Sequence, residues 1–216
     1  MRVWAVGLVA VLVAGAATGG YLLRPSEERQ VSTYDGPSPV AAVSPSIPFE
    51  PPEVLPDSDF PALLPGVELH RTAVGDKPFD LRLQVPTGWP RTIPQAGEWR
   101  WYPPPGDVLN TYFLRVRLIA NQYQPIPALL EARIDALDGA ESVKDFVLES
   151  RTDASFVADY VSDDYRRVAM EMYLPQPGTD VAFAWIALVG READRAGMVD
   201  LMDRIADSLQ QGPDYE

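Results

Sequence analysis

The chain has no cysteine, a single histidine and only two lysines among its 216 residues. Without cysteine there is no disulfide framework, no thiol nucleophile, no thiolate metal site and no lipid-modified cysteine. With His70 as the lone histidine, zinc and copper sites lack ligands. No G-x-S-x-G elbow gives His70 a nucleophile to serve, so it is expected to be an ordinary strand residue. Asp57 with Asp59, and Asp163 with Asp164, lack the dense oxygen spacing of a calcium loop and read as turn-forming acids. Glycine-rich phosphate loops, dinucleotide fingerprints and internal repeats are missing, and no cofactor is expected. No basic cluster is longer than Arg166-Arg167, which argues against a nucleic-acid partner. Lys77 and Lys144 are outnumbered by arginine, and with many Ala, Val and Asp this composition reads as that of a GC-rich bacterial genome.

What is present begins at the N-terminus. From Val3 to Leu23 no charged side chain interrupts the run, with Arg2 before it and Arg24-Pro25 after it. As a helix it would span roughly 31 Å, close to the hydrocarbon thickness of a bilayer. Ala14-Gly15-Ala16 offers a small-x-small cleavage site, so a secreted chain released from a signal peptide is the alternative. The run continues through Tyr21-Leu22-Leu23, beyond the needs of a signal peptide, which favours an uncleaved anchor. Arg2 and the free amine favour a cytoplasmic N-terminus. Either way, the bulk of the chain is expected outside the cytoplasm.

Residues 1–24 are thus read as the anchor, 25–65 as a stalk, 66–212 as one extracytoplasmic domain and 213–216 as a tail. Ten prolines between Pro25 and Pro65 fix φ and remove amide donors, so neither helix nor sheet propagates there. The net charge of −13 divides as +2 over 1–24, −6 over 25–65 and −9 over 66–216. An acidic body is repelled by anionic headgroups, which fits a domain that stands off the membrane.

Within the domain, strict alternation predicts strands. Phe79, Leu81, Leu83 and Val85 share one face, and Trp99 and Trp101 share another. Tyr112, Leu114, Val116 and Leu118 lie opposite Arg115 and Arg117. Further strands are expected at 67–74, 143–150, 155–161, 165–174 and 180–189, the last apolar on both faces and therefore central. Pro127 opens a helix through Leu137, with Gly139 just past its end. A closing helix over about 193–210 puts Met198, Leu201, Met202, Ile205 and Leu209 on a core stripe. The class is α+β, a mostly antiparallel sheet with packed helices.

The segment Phe79-Asp80-Leu81-Arg82-Leu83-Gln84-Val85-Pro86-Thr87-Gly88-Trp89, behind an apolar segment and a Pro/Ser stalk, resembles the opening of bacterial envelope domains with the PsbP-like fold. These include the mycobacterial LpqN-type lipoproteins. The strand Trp185–Val189 and the helix Ala193–Leu209 are similar to that family's closing elements. The lipobox cysteine of the lipoprotein members is missing here, and a transmembrane segment stands in its place. The resemblance implies an α/β/α sandwich over about 66–212, of a kind whose members mostly bind partners instead of catalysing.

Two candidate sites follow. Trp89, Trp99, Arg100, Trp101 and Tyr102, ahead of Pro103-Pro104-Pro105, combine flat aromatic faces with a polar rim. Such a set suits sugars, peptides or Pro-rich ligands, or else simply closes one end of the sheet. Glu149, Glu171 and Asp164 are the acids a carboxylate-based wall hydrolase would use, unless they serve cross-strand pairs with Arg115, Arg117 and Arg167. The expected role is a membrane-tethered, non-catalytic binding or adaptor domain in envelope assembly or transport. Its partner would be an envelope protein or a wall or lipid component.

Overall fold

A computed structural model describes residues 51–77, 79–106, 111–119 and 123–211. The expected membrane segment 3–23, most of the stalk and the tail lie outside the described residues. Among those described, no helix is long and apolar enough to cross a membrane.

The chain order is β1 (Leu69–Val74), β2 (Leu81–Pro86), β3 (Arg91–Gln95), β4 (Glu98–Trp101), β5 (Phe113–Leu118), α1 (Ile126–Asp138), β6 (Val143–Arg151), β7 (Ser155–Ser162), β8 (Tyr165–Pro175) and β9 (Ala182–Gly190). A 3-10 turn (Glu192–Asp194) leads into α2 (Arg195–Ser208) and β10 (Gln210–Gln211). A seven-stranded sheet runs β3-β4-β5-β9-β8-β7-β6, and a three-stranded sheet runs β1-β2-β10. Every strand pair is antiparallel, so the class is α+β as expected.

Side-chain alternation divides the large sheet into two packed faces. On one, Leu114, Val116, Ile186 and Leu188 meet β2 (Leu81, Leu83, Val85) and the α2 stripe Met198, Leu201 and Ile205. On the other, Phe156, Ala158, Tyr173, Trp185 and Ala187 meet Leu130, Ile134 and Leu137 of α1. β9, fourth of seven strands, feeds both clusters, which is why its sequence shows no polar face. Each fully buried Leu or Ile contributes about 1.5–3 kcal/mol through removal from water. Asp163 and Asp164 take positive φ (51° and 62°) in the two-residue loop that pairs Ser162 with Tyr165, the primed geometry that hairpin twist favours.

Two strands escape the periodicity. β3 carries Pro94, is exposed throughout and exists only because Gly97, at φ 76°, turns the chain back on β4. β10 pairs Gln210 and Gln211 with Arg82 and Leu81, so the closing helix stops at Ser208 and not at Gln210.

The end of the expected stalk belongs to the same compact unit as the domain. Leu63 is buried in the core. The Leu63 N–H donates to Asp194 Oδ1 at 2.9 Å. Arg191, 2% exposed, spreads its guanidinium donors over the carbonyls of Ser58, Phe60 and Pro61, the Ser58 hydroxyl and both Asp194 oxygens. Gly197 allows the close approach: a Cβ there would stand 2.3 Å from the Leu63 carbonyl oxygen. The expected boundary at residue 65 therefore falls within a strap that is fastened to α2.

An arginine-lined cleft as candidate functional site

The open part of the sheet follows from where α1 lies. The helix packs on β6 and β8, and among the described residues no helix packs on the same face of β4 and β5. Alternation sends Arg115 and Arg117 to that face, opposite Leu114 and Val116. Beside its buried stripe, α1 carries a second one, Leu129, Ala132, Arg133 and Ala136, spaced i, i+3, i+4, i+7. Because two of these are alanines, the helix leaves a cleft of about 320 Å³ between itself and β5, β8 and β9. Arg115, Arg117, Trp185 and Tyr173 form its floor; Leu118 and Ile119 complete the wall.

Trp185 is the centre. The Arg115 guanidinium carbon lies 4.5 Å from its ring and that of Arg133 lies 5.1 Å away, both within cation–π range. The indole N–H donates to Glu171 Oε2 at 2.8 Å. Arg133 grips the same carboxylate with two bonds, Nε to Oε2 at 2.9 Å and Nη2 to Oε1 at 2.8 Å. Glu98, fully buried, accepts from Gln95, Arg100 and Arg115. Burial works to raise its pKa, but the hydrogen bonds from Arg115, Arg100 and Gln95 together outweigh that and hold it at about 2. Burial, reinforced by the Glu171 charge, pushes the Tyr173 phenol up to about 12. Both carboxylates are thus committed to arginines.

The arginines are not all committed in return. Arg117 makes no hydrogen bond or ion pair with any described residue. The Arg115 Nε donor is buried without an acceptor. Arg100, Arg115, Arg117 and Arg133 stand against Glu98 and Glu171, so this corner carries excess positive charge in a domain whose net charge is −9 over 66–216.

The expected aromatic site is divided by the sheet. Trp99 and Trp101, 9% and 2% exposed, point into the α2-side core and offer a partner almost no surface. Both rings pack in the core, as the sheet-closing alternative has them. Trp89 is half-buried, its ring 5.4 Å from that of Tyr112, and Tyr102 stacks on Phe113 at 5.6 Å. Arg100 joins the cleft network through Glu98, and Tyr102 reaches it through its hydrogen bond with Arg100. His70 is exposed on β1, opposite Val85.

The candidate acids have partners other than those expected. Glu171 pairs with Arg133 and Glu149 with Arg195 (2.7 and 2.8 Å), whose hydrogen bonds lower the Glu149 pKa. Asp164 meets Lys144 at 3.4 Å on the surface. Burial raises the pKa of Asp159, which Arg166 holds in an ion pair. None of these acids lines the cleft. Among the described residues, no group of three or more His, Asp or Glu is placed to hold a metal ion.

Reading the sequence missed Arg117, Arg133 and Trp185 as a unit. The legible signal was the double stripe on α1 and the arginine pair on one face of β5; their meeting across β9 depends on sheet order. Comparison with family models, with curated proteins and with solved structures finds no match to this chain.

Proposed function

We propose that the chain is a non-catalytic, membrane-tethered binding domain of the PsbP-like, LpqN type, acting outside the cytoplasm in cell-envelope assembly or transport. The apolar run 3–23, the proline-rich stalk and the order of strands and helices support this reading. One observation carries it: the cleft has receptor chemistry without proton-transfer chemistry. Its carboxylate neighbours Glu98 and Glu171 are locked in arginine pairs, while Arg117 lines the cleft with no ion-pair partner among the described residues. A glycosidase needs one carboxyl group held protonated near neutral pH, and Glu98 is driven the opposite way.

Crosslinking capture from native membranes tests the reading. The full chain should retain a partner or ligand that is lost on Arg117→Glu, with thermal unfolding unchanged. Loss of a wall-degrading activity on Glu149→Gln or Glu171→Gln, in a chain that stays folded, would replace it with the hydrolase reading.

A further inference from the structure

We infer that the cleft receives a small ligand bearing an oxyanion, phosphate or carboxylate, on an aliphatic body. This rests on the proposed binding role and names the chemistry of its site. Tyr173, Trp185 and Arg117 are register neighbours across β8, β9 and β5, so they form one row on the cleft floor. The next register partner of Arg117 is Glu98 on β4, the residue that would ordinarily neutralise it. Glu98 is already saturated by Gln95, Arg100 and Arg115, which leaves Arg117 with a planar fork of donors suited to a carboxylate or phosphate. Beside it, the unsatisfied Nε of Arg115 is a buried donor whose desolvation an incoming acceptor would offset.

The rest of the lining narrows the class. Among the described residues, no carboxylate lines the cleft to repel an anion. A sugar asks for acceptors as well as donors, and apart from the Tyr173 hydroxyl the polar side chains here only donate. Leu129, Ala132 and Ala136 on the helix, with Leu118 and Ile119 on the strand side, make the wall aliphatic. A volume of about 320 Å³ lies at the small end of ligand sites, enough for a headgroup and the start of a chain. Such an anion could arrive free in solution or as the headgroup of a lipid.

Calorimetric titration of the full chain in phosphatidylcholine nanodiscs tests this. Hexyl phosphate and hexanoate should bind saturably, inorganic phosphate at least about tenfold more weakly, and hexyl glucoside without detectable heat. Arg117→Ala should weaken hexyl phosphate about tenfold or more, and Arg117→Lys should restore part of the loss. Because Arg117 is exposed and makes no hydrogen bond or ion pair with a described residue, both variants should melt with the wild type. Adding phosphatidate to the nanodiscs separates the sources: loss of the hexyl phosphate heat assigns a lipid headgroup, and its retention assigns a free anion. Equal binding of hexyl glucoside and hexyl phosphate, indifferent to Arg117→Ala, would overturn the inference, as would no binding of any anion. In either case, membrane capture that still depends on the domain would leave the binding role standing, whereas loss of capture as well would remove both.

Discussion

Two arginine centres in this domain are built from the same parts and do opposite things. At the strap, Arg191 is buried, its guanidinium meets six acceptors, and every one belongs to the chain itself. At the cleft, beside an open volume of about 320 Å³, Arg115 Nε is buried without an acceptor and Arg117 makes no hydrogen bond or ion pair with a described residue. A saturated arginine holds a fold together; an arginine with donors to spare is available to something else. The difference lies in acceptors and not in residue type, since Asp194 and three backbone carbonyls serve Arg191 while Glu98 is shared among Gln95, Arg100 and Arg115.

The sharpest way to break the comparison is at the closed centre. Arg191→Ala would leave Asp194 buried without its counter-charge and the strap carbonyls without donors. A loss of about 3–5 kcal/mol in urea unfolding is expected, with faster proteolysis between Ser58 and Leu63. Trp101→Ala, on the core face behind the cleft, should cost a similar ~3–5 kcal/mol through the cavity it leaves, with a cooperative loss of stability that marks the ring as packing.

Next in size is the pH dependence of the cleft's shared carboxylate. Glu98 has a folded pKa of about 2, below its ordinary value of 4.5, so the unfolded chain binds more protons between these values. Its contribution is complete above about pH 4.5 and is lost as the pH falls toward 2; it should be on the order of 2 kcal/mol. Glu98→Gln should flatten that part of the acid unfolding curve. A smaller effect is expected for Glu149→Gln: its surface pairing with Arg195 should be worth under about 1 kcal/mol in thermal unfolding. The smallest stability change, within about 0.5 kcal/mol, belongs to Arg117→Ala, although that variant should show a large binding defect.

The closed centre and the open one were not equally visible in the sequence. Periodicity placed Leu81, Leu83, Leu114, Val116 and the α2 stripe in the core, and the doubly apolar run placed β9 at the centre of the sheet. Local pattern also separated Arg115 and Arg117 from Leu114 and Val116. It could not show that Arg133, 38 residues before Glu171, closes over Trp185, because that contact depends on the helix landing on β6 and β8. Arg191 and Asp194 sit at the start of the closing helix, yet the strap they hold lies about 130 residues earlier, in a stretch whose prolines predict a stalk. For tryptophans 99 and 101 the alternation is legible, but which face meets the core depends on where β1, β2 and α2 fold back.

Urea unfolding of the full chain in phosphatidylcholine nanodiscs, with wild type, Arg191→Ala and Arg117→Ala side by side, tests the contrast most directly. The account predicts a loss of about 3–5 kcal/mol for Arg191→Ala and none beyond about 0.5 kcal/mol for Arg117→Ala. Hexyl phosphate should raise the midpoint of the wild type but not that of Arg117→Ala. Equal destabilisation by the two substitutions, with no shift from the ligand, would mean that both arginines serve the fold and that the cleft is no receptor.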